Sequence, residues 1–162
     1  MLSSMRMARG GRIAAVFAAV LMLAACAADP NKDQAGGAAT PGSAQDFVVN
    51  VGDRVFFDTD SSSLRPEGRA TLDRQAQWLQ QYQRYTVTIE GHADERGTRE
   101  YNLALGARRA QAARDYLVSQ GVAASRLRTI SYGKERPIAV CNDESCWTQN
   151  RRAVTVLNTA GS

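Results

Sequence analysis

Short runs of β-forming residues alternate with stretches of helical periodicity between residues 53 and 158, and this alternation limits the possible folds more than any other feature of the sequence. The runs DRVFFD (53–58) and YTVTIE (85–90) are rich in β-branched and aromatic residues, which is typical of strands. The segment between them contains Pro66, a residue favoured in the first turn of a helix. Its apolar residues recur at helical spacing: Leu72, Ala76 and Leu79. The first half of the region is therefore predicted to be strand, helix, strand.

The second half of the region continues this pattern. A helix is predicted from about Arg99 to Ser119 and should end before Gly121, because a glycine commonly follows the last turn of a helix. LRTISYG (127–133) and RRAVTVLN (151–158) supply two further strands on either side of a loop with two cysteines. The order βαβαββ predicts an α/β fold, a two-layer sandwich in which a mixed sheet carries two main helices on one face.

A basic segment and an apolar run precede this region. The run Ile13–Ala25 has the length of a signal peptide and is shorter than the roughly 20 residues of a membrane-spanning helix. It ends in LAAC, which resembles the lipobox of bacterial lipoproteins, where cleavage occurs before a diacylated cysteine. Residues 1–25 are therefore predicted to be a lipoprotein signal peptide and Cys26 the lipidated first residue of the mature chain. A plain secretory signal peptide is the alternative.

The resemblance to lipoproteins also implies a location. Aspartate after the lipidated cysteine retains many lipoproteins at the inner membrane, and here the residue is Ala27, so an outer-membrane anchor with the domain facing the periplasm is predicted. Residues 26–45 hold no large apolar side chain and cannot bury enough surface to fold, which predicts a flexible tether. Residues 46–162 have globular composition and suit one domain.

The charge of the mature chain gives no sign of a nucleic-acid partner. The whole chain has 20 Lys and Arg against 16 Asp and Glu, and Arg6, Arg9 and Arg12 leave with the signal peptide. The remaining 17 basic residues nearly balance the 16 acids. The basic isoelectric point of the whole chain therefore does not indicate a nucleic-acid-binding surface.

Two cysteines remain once Cys26 carries lipid. Cys141 and Cys146 form an even pair in an oxidising compartment, which favours a disulfide across the loop CNDESC. A metal pair is the alternative, but the chain has no second cysteine pair and only one histidine, which is a poor signature for zinc. No metal site is predicted.

One face of the second predicted helix combines core residues with polar ones. Steps of three or four residues place five side chains on this face: Asn102, Leu105, Arg109, Ala113 and Leu117. An arginine withdrawn from water needs an acceptor, and Asp94 at the end of the preceding strand is the nearest candidate by topology. The two could form a structural salt bridge, or they could share a pocket for a ligand that carries both an ammonium and a carboxylate.

A family resemblance favours the ligand. The stretch GHADERGTREYNLALGARRA resembles the signature of the OmpA-like peptidoglycan-binding domain. With FFDTDSSSLRPEG upstream and YGKERPIA and QNRRAVTVL downstream, the resemblance covers residues 54–157. It implies a sandwich of the OmpA-like type that binds peptidoglycan. The cysteine loop departs from the pattern, because many relatives have no cysteines there.

The resemblance also implies roles for individual residues. Asp94 would hold the ammonium of the diaminopimelate side chain in the stem peptide, and Arg109 would hold its carboxylate. The other matching positions are Asn102, Leu105, Phe57 and Asp58, with Arg151 as a weaker match. Because a ligand site is not needed for core packing, replacement of Asp94 or Arg109 is expected to leave the fold largely intact.

Within this family, the chain is similar to the lipoproteins of the Tol system, because it combines a lipobox, a short tether, DERGTREYN and SYGKERP. That similarity implies TolB and the Tol complex as partners, with contacts around Glu95, Arg96 and Tyr101, and a role in envelope integrity and outer-membrane constriction during division. A wall-anchoring lipoprotein outside the Tol system is the alternative. Neither reading includes a cofactor.

No enzymatic activity is predicted. His92 is the only histidine, and it has no partner at the spacing of a metal site or a catalytic triad, so it is expected to hold its loop by hydrogen bonds. Asp58 and Asp60 could be the paired carboxylates of a glycosidase. At this spacing near a strand end they are expected to make turn contacts instead.

Overall fold

Helices and strands alternate in the computed structural model of the protein, which describes residues 39–158. In chain order the elements are α1 (Ala44–Asp46), a π-helical turn (Phe47–Val51), β1 (Arg54–Phe56), α2 (Pro66–Gln81), β2 (Thr86–His92), α3 (Arg99–Ser119), a 3-10 turn (Ala124–Arg126), β3 (Leu127–Gly133), α4 (Glu144–Asn150) and β4 (Arg152–Asn158). The predicted signal peptide (1–25), Cys26 and most of the predicted tether lie outside the described residues. Within these residues, no helix is both long and apolar enough to cross a membrane.

The four strands form one mixed sheet in the order β1, β4, β2, β3. β2 and β3 run parallel, whereas β4 runs antiparallel to both β1 and β2. In the middle of the sheet, Ile89 of β2 lies between Thr129 of β3 and Thr155 of β4. The predicted mixed sheet is confirmed, and the last strand of the chain lies inside it rather than at an edge.

The two long helices lie where the sequence predicts them. α2 starts with Pro66, and α3 begins after Thr98, whose hydroxyl accepts a hydrogen bond from the backbone N–H of Tyr101 at 3.2 Å. Gly121 follows α3 with φ of 94°, a conformation that favours glycine. The predicted start of α2 near Pro66 and the predicted range of α3 are therefore confirmed.

Both helices cover the same face of the sheet and share one hydrophobic core. Side chains of α2 and α3 meet those of all four strands in this core, whose completely buried members are Leu72, Leu79, Val87, Ile89, Ala110 and Leu117. Burying an aliphatic side chain of this size stabilises a fold by roughly 1.5–3 kcal/mol. The predicted two-layer arrangement is confirmed.

Helix α3 touches β2 without any side chain between them. A Cβ atom on Gly91 would lie 1.8 Å from the carbonyl oxygen of Gly106, and one on Gly106 would lie 2.8 Å from the carbonyl oxygen of Gly91. Both distances are shorter than the contacts that real Cβ atoms make. Only glycine at both positions allows the backbones of the helix and the strand to come this close.

The cysteine loop contains a helix that the sequence did not predict. α4 is capped by Asp143, whose carboxylate accepts a hydrogen bond from the backbone N–H of Ser145 at 2.8 Å. An aspartate followed by Glu144 in the first turn is a helix start signal, but seven residues are too few to show helical periodicity. Cys141 and Cys146 form a disulfide, with their Cα atoms 5.7 Å apart.

The folded unit begins before Asp46. The described residues belong to a compact unit that starts at Ala39, and the carbonyl oxygen of Gly42 accepts a hydrogen bond from the hydroxyl of Tyr85 at 2.9 Å. The carboxylate of Asp46 accepts another from the indole N–H of Trp78 at 2.8 Å. The last residues assigned to the tether therefore belong to the domain. The contacts of Gly42 are made by its backbone atoms, which side-chain composition does not reveal.

Reduction of the Cys141–Cys146 disulfide is expected to lower the free energy of unfolding by about 2 kcal/mol, because a loop this short restricts the unfolded chain only modestly. Urea denaturation with and without dithiothreitol measures the change. A Cys141→Ser, Cys146→Ser double variant is the control, and it should not respond to the reductant. Equal stability of the reduced and oxidised wild type would show that the bond does not stabilise the domain.

Candidate functional site

A cavity of about 270 Å³ opens where β2 ends and α3 begins. Its lining residues are Thr59, Asp60, Asp94, Arg96, Gly97, Tyr101, Asn102 and Leu105. β2 extends to His92, so the GHADERG stretch forms the end of this strand and the turn that follows. Of the predicted ligand-binding residues, Asp94, Asn102 and Leu105 line the cavity.

Asp94 is the most buried carboxylate of this cavity, with 7% of the residue exposed. Its Oδ1 accepts hydrogen bonds from the backbone N–H of Arg96 at 3.1 Å and from its Nε at 3.2 Å. Its Oδ2 accepts from Arg96 Nη2 at 2.7 Å and from Arg151 Nη1 at 3.3 Å. Burial acts to raise the pKa of Asp94, but the hydrogen bonds from both arginines outweigh it and hold the pKa below its ordinary value. The carboxylate is therefore ionised at neutral pH.

Arg151 is the buried partner of Asp94. Its side chain is 5% exposed, donates from Nε to the carbonyl oxygen of Phe57 at 3.2 Å, and also pairs with the carboxylate of Glu144. Arg151 was the weakest of the sequence matches, yet it links the end of β2 to the start of β4. It also lines a second cavity of about 410 Å³ beside Phe57 and Asp58.

Arg109 is bound by backbone carbonyl groups. Its side chain is completely buried, and its guanidinium donates to the backbone carbonyl oxygens of Ser61 at 2.8 Å, His92 at 2.9 Å and Asp58 at 3.0 Å. The structural salt bridge between Asp94 and Arg109, which the sequence left open as an alternative, does not form, because three carbonyl groups accept the hydrogen bonds of Arg109 instead. Burial lowers the pKa of Arg109 to about 10, so it keeps its charge at neutral pH. Arg109 lies behind the cavity and does not line it.

Asn102 and Leu105 form the helix side of the cavity, and both are buried. The amide nitrogen of Asn102 donates to the carbonyl oxygens of Arg96 at 2.7 Å and Thr98 at 3.1 Å. From the other side of the turn, Lys134 Nζ donates to the carbonyl oxygen of Gly97 at 2.7 Å. The turn between β2 and α3 is therefore held from two sides.

Phe57 and Asp58 follow β1 and lie beside Arg109. Phe57 is 2% exposed, and the guanidinium carbon of Arg109 lies 5.3 Å from the centre of its ring. Asp58 is exposed, and its carboxylate lies 3.9 Å from Arg65. These two predicted residues line the second cavity rather than the first.

The sequence did not predict five residues of the cavity as ligand-site residues: Thr59, Asp60, Arg96, Gly97 and Tyr101. The hydroxyl of Tyr101 hydrogen-bonds to the carboxylate of Asp60, and Asp60 has a positive φ of 56°. Arg96 had a signal, since it stands two residues after an aspartate in a turn, where a side chain can return to the carboxylate. Thr59, Asp60 and Tyr101 had none at a recognisable spacing.

The prediction that the His92 side chain holds its loop by hydrogen bonds is wrong. It is 2% exposed, and neither ring nitrogen has a hydrogen-bond partner among the described residues. The ring packs against Tyr132 at 5.6 Å between centroids, and Nε2 lies 3.6 Å from Glu90 Oε2. Burial, with the positive charges of Arg152 and Arg136, lowers the pKa of His92 to about 4. Only its backbone carbonyl takes part in the site, through Arg109. Across residues 39–158, no three His, Cys, Asp or Glu side chains could hold a metal ion together.

The buried His92 should make stability depend on pH. Because the pKa is depressed in the folded state, the unfolded chain takes up a proton between pH 6.5 and about 4 that the folded chain does not. The free energy of unfolding should therefore fall by about 3 kcal/mol as the pH drops through this window. Urea denaturation at several pH values measures the fall. His92→Phe, which keeps the ring but cannot titrate, should flatten it, and an equal fall in both proteins would assign it to other groups.

Comparison with known proteins places this geometry in a family. A family model described as the OmpA family matches residues 56–152. The chain is 65% identical to the peptidoglycan-associated lipoprotein of Mesorhizobium japonicum, over 94% of this chain and 99% of that protein. It is 71% identical to the peptidoglycan-associated lipoprotein of Rhizobium meliloti, over 88% of this chain and 85% of that protein.

A solved structure agrees with these relatives. The crystal structure of the peptidoglycan-associated lipoprotein from Burkholderia pseudomallei is 44% identical and superposes with a TM-score of 0.64. The match covers 65% of this chain and 90% of that one. The chain therefore belongs to the family of peptidoglycan-associated lipoproteins, and its folded domain is of the OmpA-like type.

Proposed function

We propose that this protein anchors the outer membrane to the cell wall by binding peptidoglycan stem peptides without a covalent bond. The observation that carries the proposal is Asp94, an ionised and nearly buried carboxylate at the rigid end of β2 that lines an open cavity. A carboxylate in such a position binds a cationic group well, because charge-assisted hydrogen bonds are stronger where water is partly excluded. The names of the relatives support peptidoglycan as the ligand.

We propose that the side chain of diaminopimelate, which carries an ammonium and a carboxylate, occupies this cavity. Asp94 would accept hydrogen bonds from the ammonium, and the methylene groups would contact Leu105. Arg109 is a proposed ligand-binding residue because its buried positive charge behind the cavity favours a carboxylate, and it also fixes the walls through its three carbonyl contacts. Asn102 would keep the turn in place.

The second cavity extends this binding surface. Phe57, Asp58 and Arg151 line it, and Arg151 also bonds to Asp94 in the first cavity. A stem peptide is longer than one side chain, so its neighbouring groups could occupy this second region. We therefore keep Phe57, Asp58 and Arg151 as proposed ligand-binding residues beside Asp94.

Lipid at Cys26 would hold the other end of the chain in the outer membrane. Two or more acyl chains anchor a protein stably, whereas a single chain does not. A tether from Cys26 to about Thr40 would have an r.m.s. length of roughly 20 Å if it behaves as a flexible coil. The domain would then face the periplasm within reach of the wall.

The proposed binding of peptidoglycan is reversible. A charge-assisted hydrogen bond contributes about 1.5–3 kcal/mol, so a few of them would support micromolar to sub-micromolar binding once the costs of association are subtracted. Many copies along one wall would add avidity.

The membership in this lipoprotein family supports a further proposal, that the protein works with TolB and the Tol complex and assists outer-membrane constriction during division. A pull-down with TolB tests this. Retention of TolB on the immobilised domain is expected, and its absence would favour a wall-anchoring lipoprotein outside the Tol system. We also propose that the protein is not an enzyme, so purified sacculi incubated with it should release no soluble fragments.

Isothermal titration calorimetry tests the central proposal. The chain from Ala39 onward contains the whole hydrophobic core and is titrated with a stem peptide that contains meso-diaminopimelate. The matched ligand is the same peptide with lysine, which keeps the ammonium and lacks the side-chain carboxylate. Tighter binding of the diaminopimelate peptide is expected, and no binding of either peptide would refute the proposed function.

A further inference from the structure

The carboxylate of Asp94 has no free capacity for a ligand in this structure. It accepts four hydrogen bonds, of which three come from Arg96 and one from Arg151. A carboxylate has about four lone-pair sites. A ligand ammonium therefore has to replace one of the existing donors before it can bind.

Only Arg96 can leave without disturbing the fold. The side chain of Arg151 is 5% exposed and bonds to Phe57 and Glu144 as well, whereas that of Arg96 is 41% exposed and lines the cavity. The backbone N–H of Arg96 can keep its bond to Oδ1 while the guanidinium moves away. The exchangeable position on Asp94 is therefore the one that the guanidinium of Arg96 occupies.

We propose that the guanidinium of Arg96 takes the place of the cation of the ligand. It is bound to Asp94 in the free protein and is displaced when a stem peptide binds. This inference rests on the proposed function, and it identifies Arg96 as the residue that sets the affinity and the selectivity of the same site. A ligand must therefore compete with Arg96, and not only with water, for the carboxylate of Asp94. A neutral group that displaced the guanidinium would leave the carboxylate without a cation, so the site favours ligands that carry a positive charge.

The displaced guanidinium can remain in contact with Trp147. Its central carbon already lies 4.1 Å from the centre of the Trp147 ring, a cation–π contact that does not depend on Asp94. Trp147 is fixed in turn by a hydrogen bond from its indole N–H to Glu95 at 3.1 Å. Arg96 can therefore release Asp94 and remain on Trp147 or in water, which keeps the exchange reversible.

Arg96→Gln tests the proposal, with Arg99→Gln as the matched control. Arg99 lies three residues away, is 66% exposed in its side chain and pairs with Glu135 at 3.2 Å, so its replacement removes the same charge without touching Asp94. Calorimetry with the diaminopimelate peptide should give a dissociation constant roughly three- to fivefold lower for Arg96→Gln than for wild type, since an ion pair no longer has to open. Arg99→Gln should stay within about twofold of wild type. Unchanged or weaker binding by Arg96→Gln would overturn the proposal.

A second measurement does not require the ligand. The pKa of Asp94, followed by the carboxyl 13C resonance in NMR, should rise in Arg96→Gln and stay at the wild-type value in Arg99→Gln. An unchanged pKa in Arg96→Gln would show that the guanidinium does not occupy Asp94 in solution and would overturn the inference. If the wild type binds no peptide but the pKa rises as expected, the proposed function fails while the Arg96 contact stands.

Discussion

Replacing Arg109 by methionine is expected to lower the free energy of unfolding by about 3 to 5 kcal/mol. Methionine is unbranched and apolar and cannot donate hydrogen bonds, so the carbonyl groups of Asp58, Ser61 and His92 lose their common donor. Buried acceptors left without a partner are costly. The loss would loosen the segment after β1 and the end of β2 together, because Arg109 bonds to both.

Urea denaturation measures this effect, and Arg108→Met is the matched control. Arg108 is the neighbouring arginine on α3, and it is exposed. Its replacement removes the same charge with an expected change of less than about 0.5 kcal/mol. Equal stability of the two variants would mean that the three carbonyl contacts of Arg109 contribute nothing.

This result would change how the site is tested. The sequence led to the expectation that Arg109 could be replaced while the fold stays largely intact, since a ligand residue is not needed for packing. Complete burial of Arg109 contradicts that expectation. Loss of peptide binding in an Arg109 variant would therefore not by itself identify Arg109 as a ligand contact.

Asp94→Asn is expected to weaken binding of the diaminopimelate peptide roughly ten- to hundredfold, the equivalent of one lost charge-assisted hydrogen bond. Asparagine has the same shape but only one acceptor oxygen, so it can accept from Arg151 or from the backbone N–H of Arg96, which bond to different oxygens of Asp94. The ammonium of the ligand would lose the negative charge that attracts it. The domain should remain folded, which far-ultraviolet circular dichroism can verify.

Asp60→Asn is the control for this variant. Asp60 lines the same cavity, is exposed, and bonds to Tyr101 at its rim. Asparagine also tolerates the positive φ found at Asp60. Calorimetry should give Asp60→Asn an affinity within about threefold of wild type, because an exposed charge contributes little. Similar losses in both variants would mean that the cavity attracts the peptide through its overall charge.

The layers of the fold were predictable because periodicity depends on burial. Leu72, Ala76 and Leu79 recur on one face of α2, and the structure buries all three. Thr98 and Gly121 mark the two ends of α3 by local chemistry that a short stretch of sequence contains. The order of strands within the sheet was not predicted, because four strands can pair in several ways that bury the same residues.

The partners of the charged residues were less predictable. The sequence indicated correctly that Arg109 is withdrawn from water, but its acceptors are backbone carbonyl groups, which every residue has. Likewise, Arg151 lies far from Asp94 along the chain, and only the position of β4 inside the sheet brings the two together. A sequence shows which side chains need partners more readily than it shows where those partners lie.

The contact between Gly91 and Gly106 determines how the cavity can respond to a ligand. Because the two backbones already touch, the start of α3 cannot move closer to the end of β2. The spacing between Asp94 and Asn102 is thus preorganised, and binding loses little conformational entropy at these two residues. Adjustment to ligands of different size must come from side chains such as that of Arg96, because the turn itself is held by Asn102 and Lys134. A graft of this site onto another scaffold would need the glycine contact as well as the polar residues.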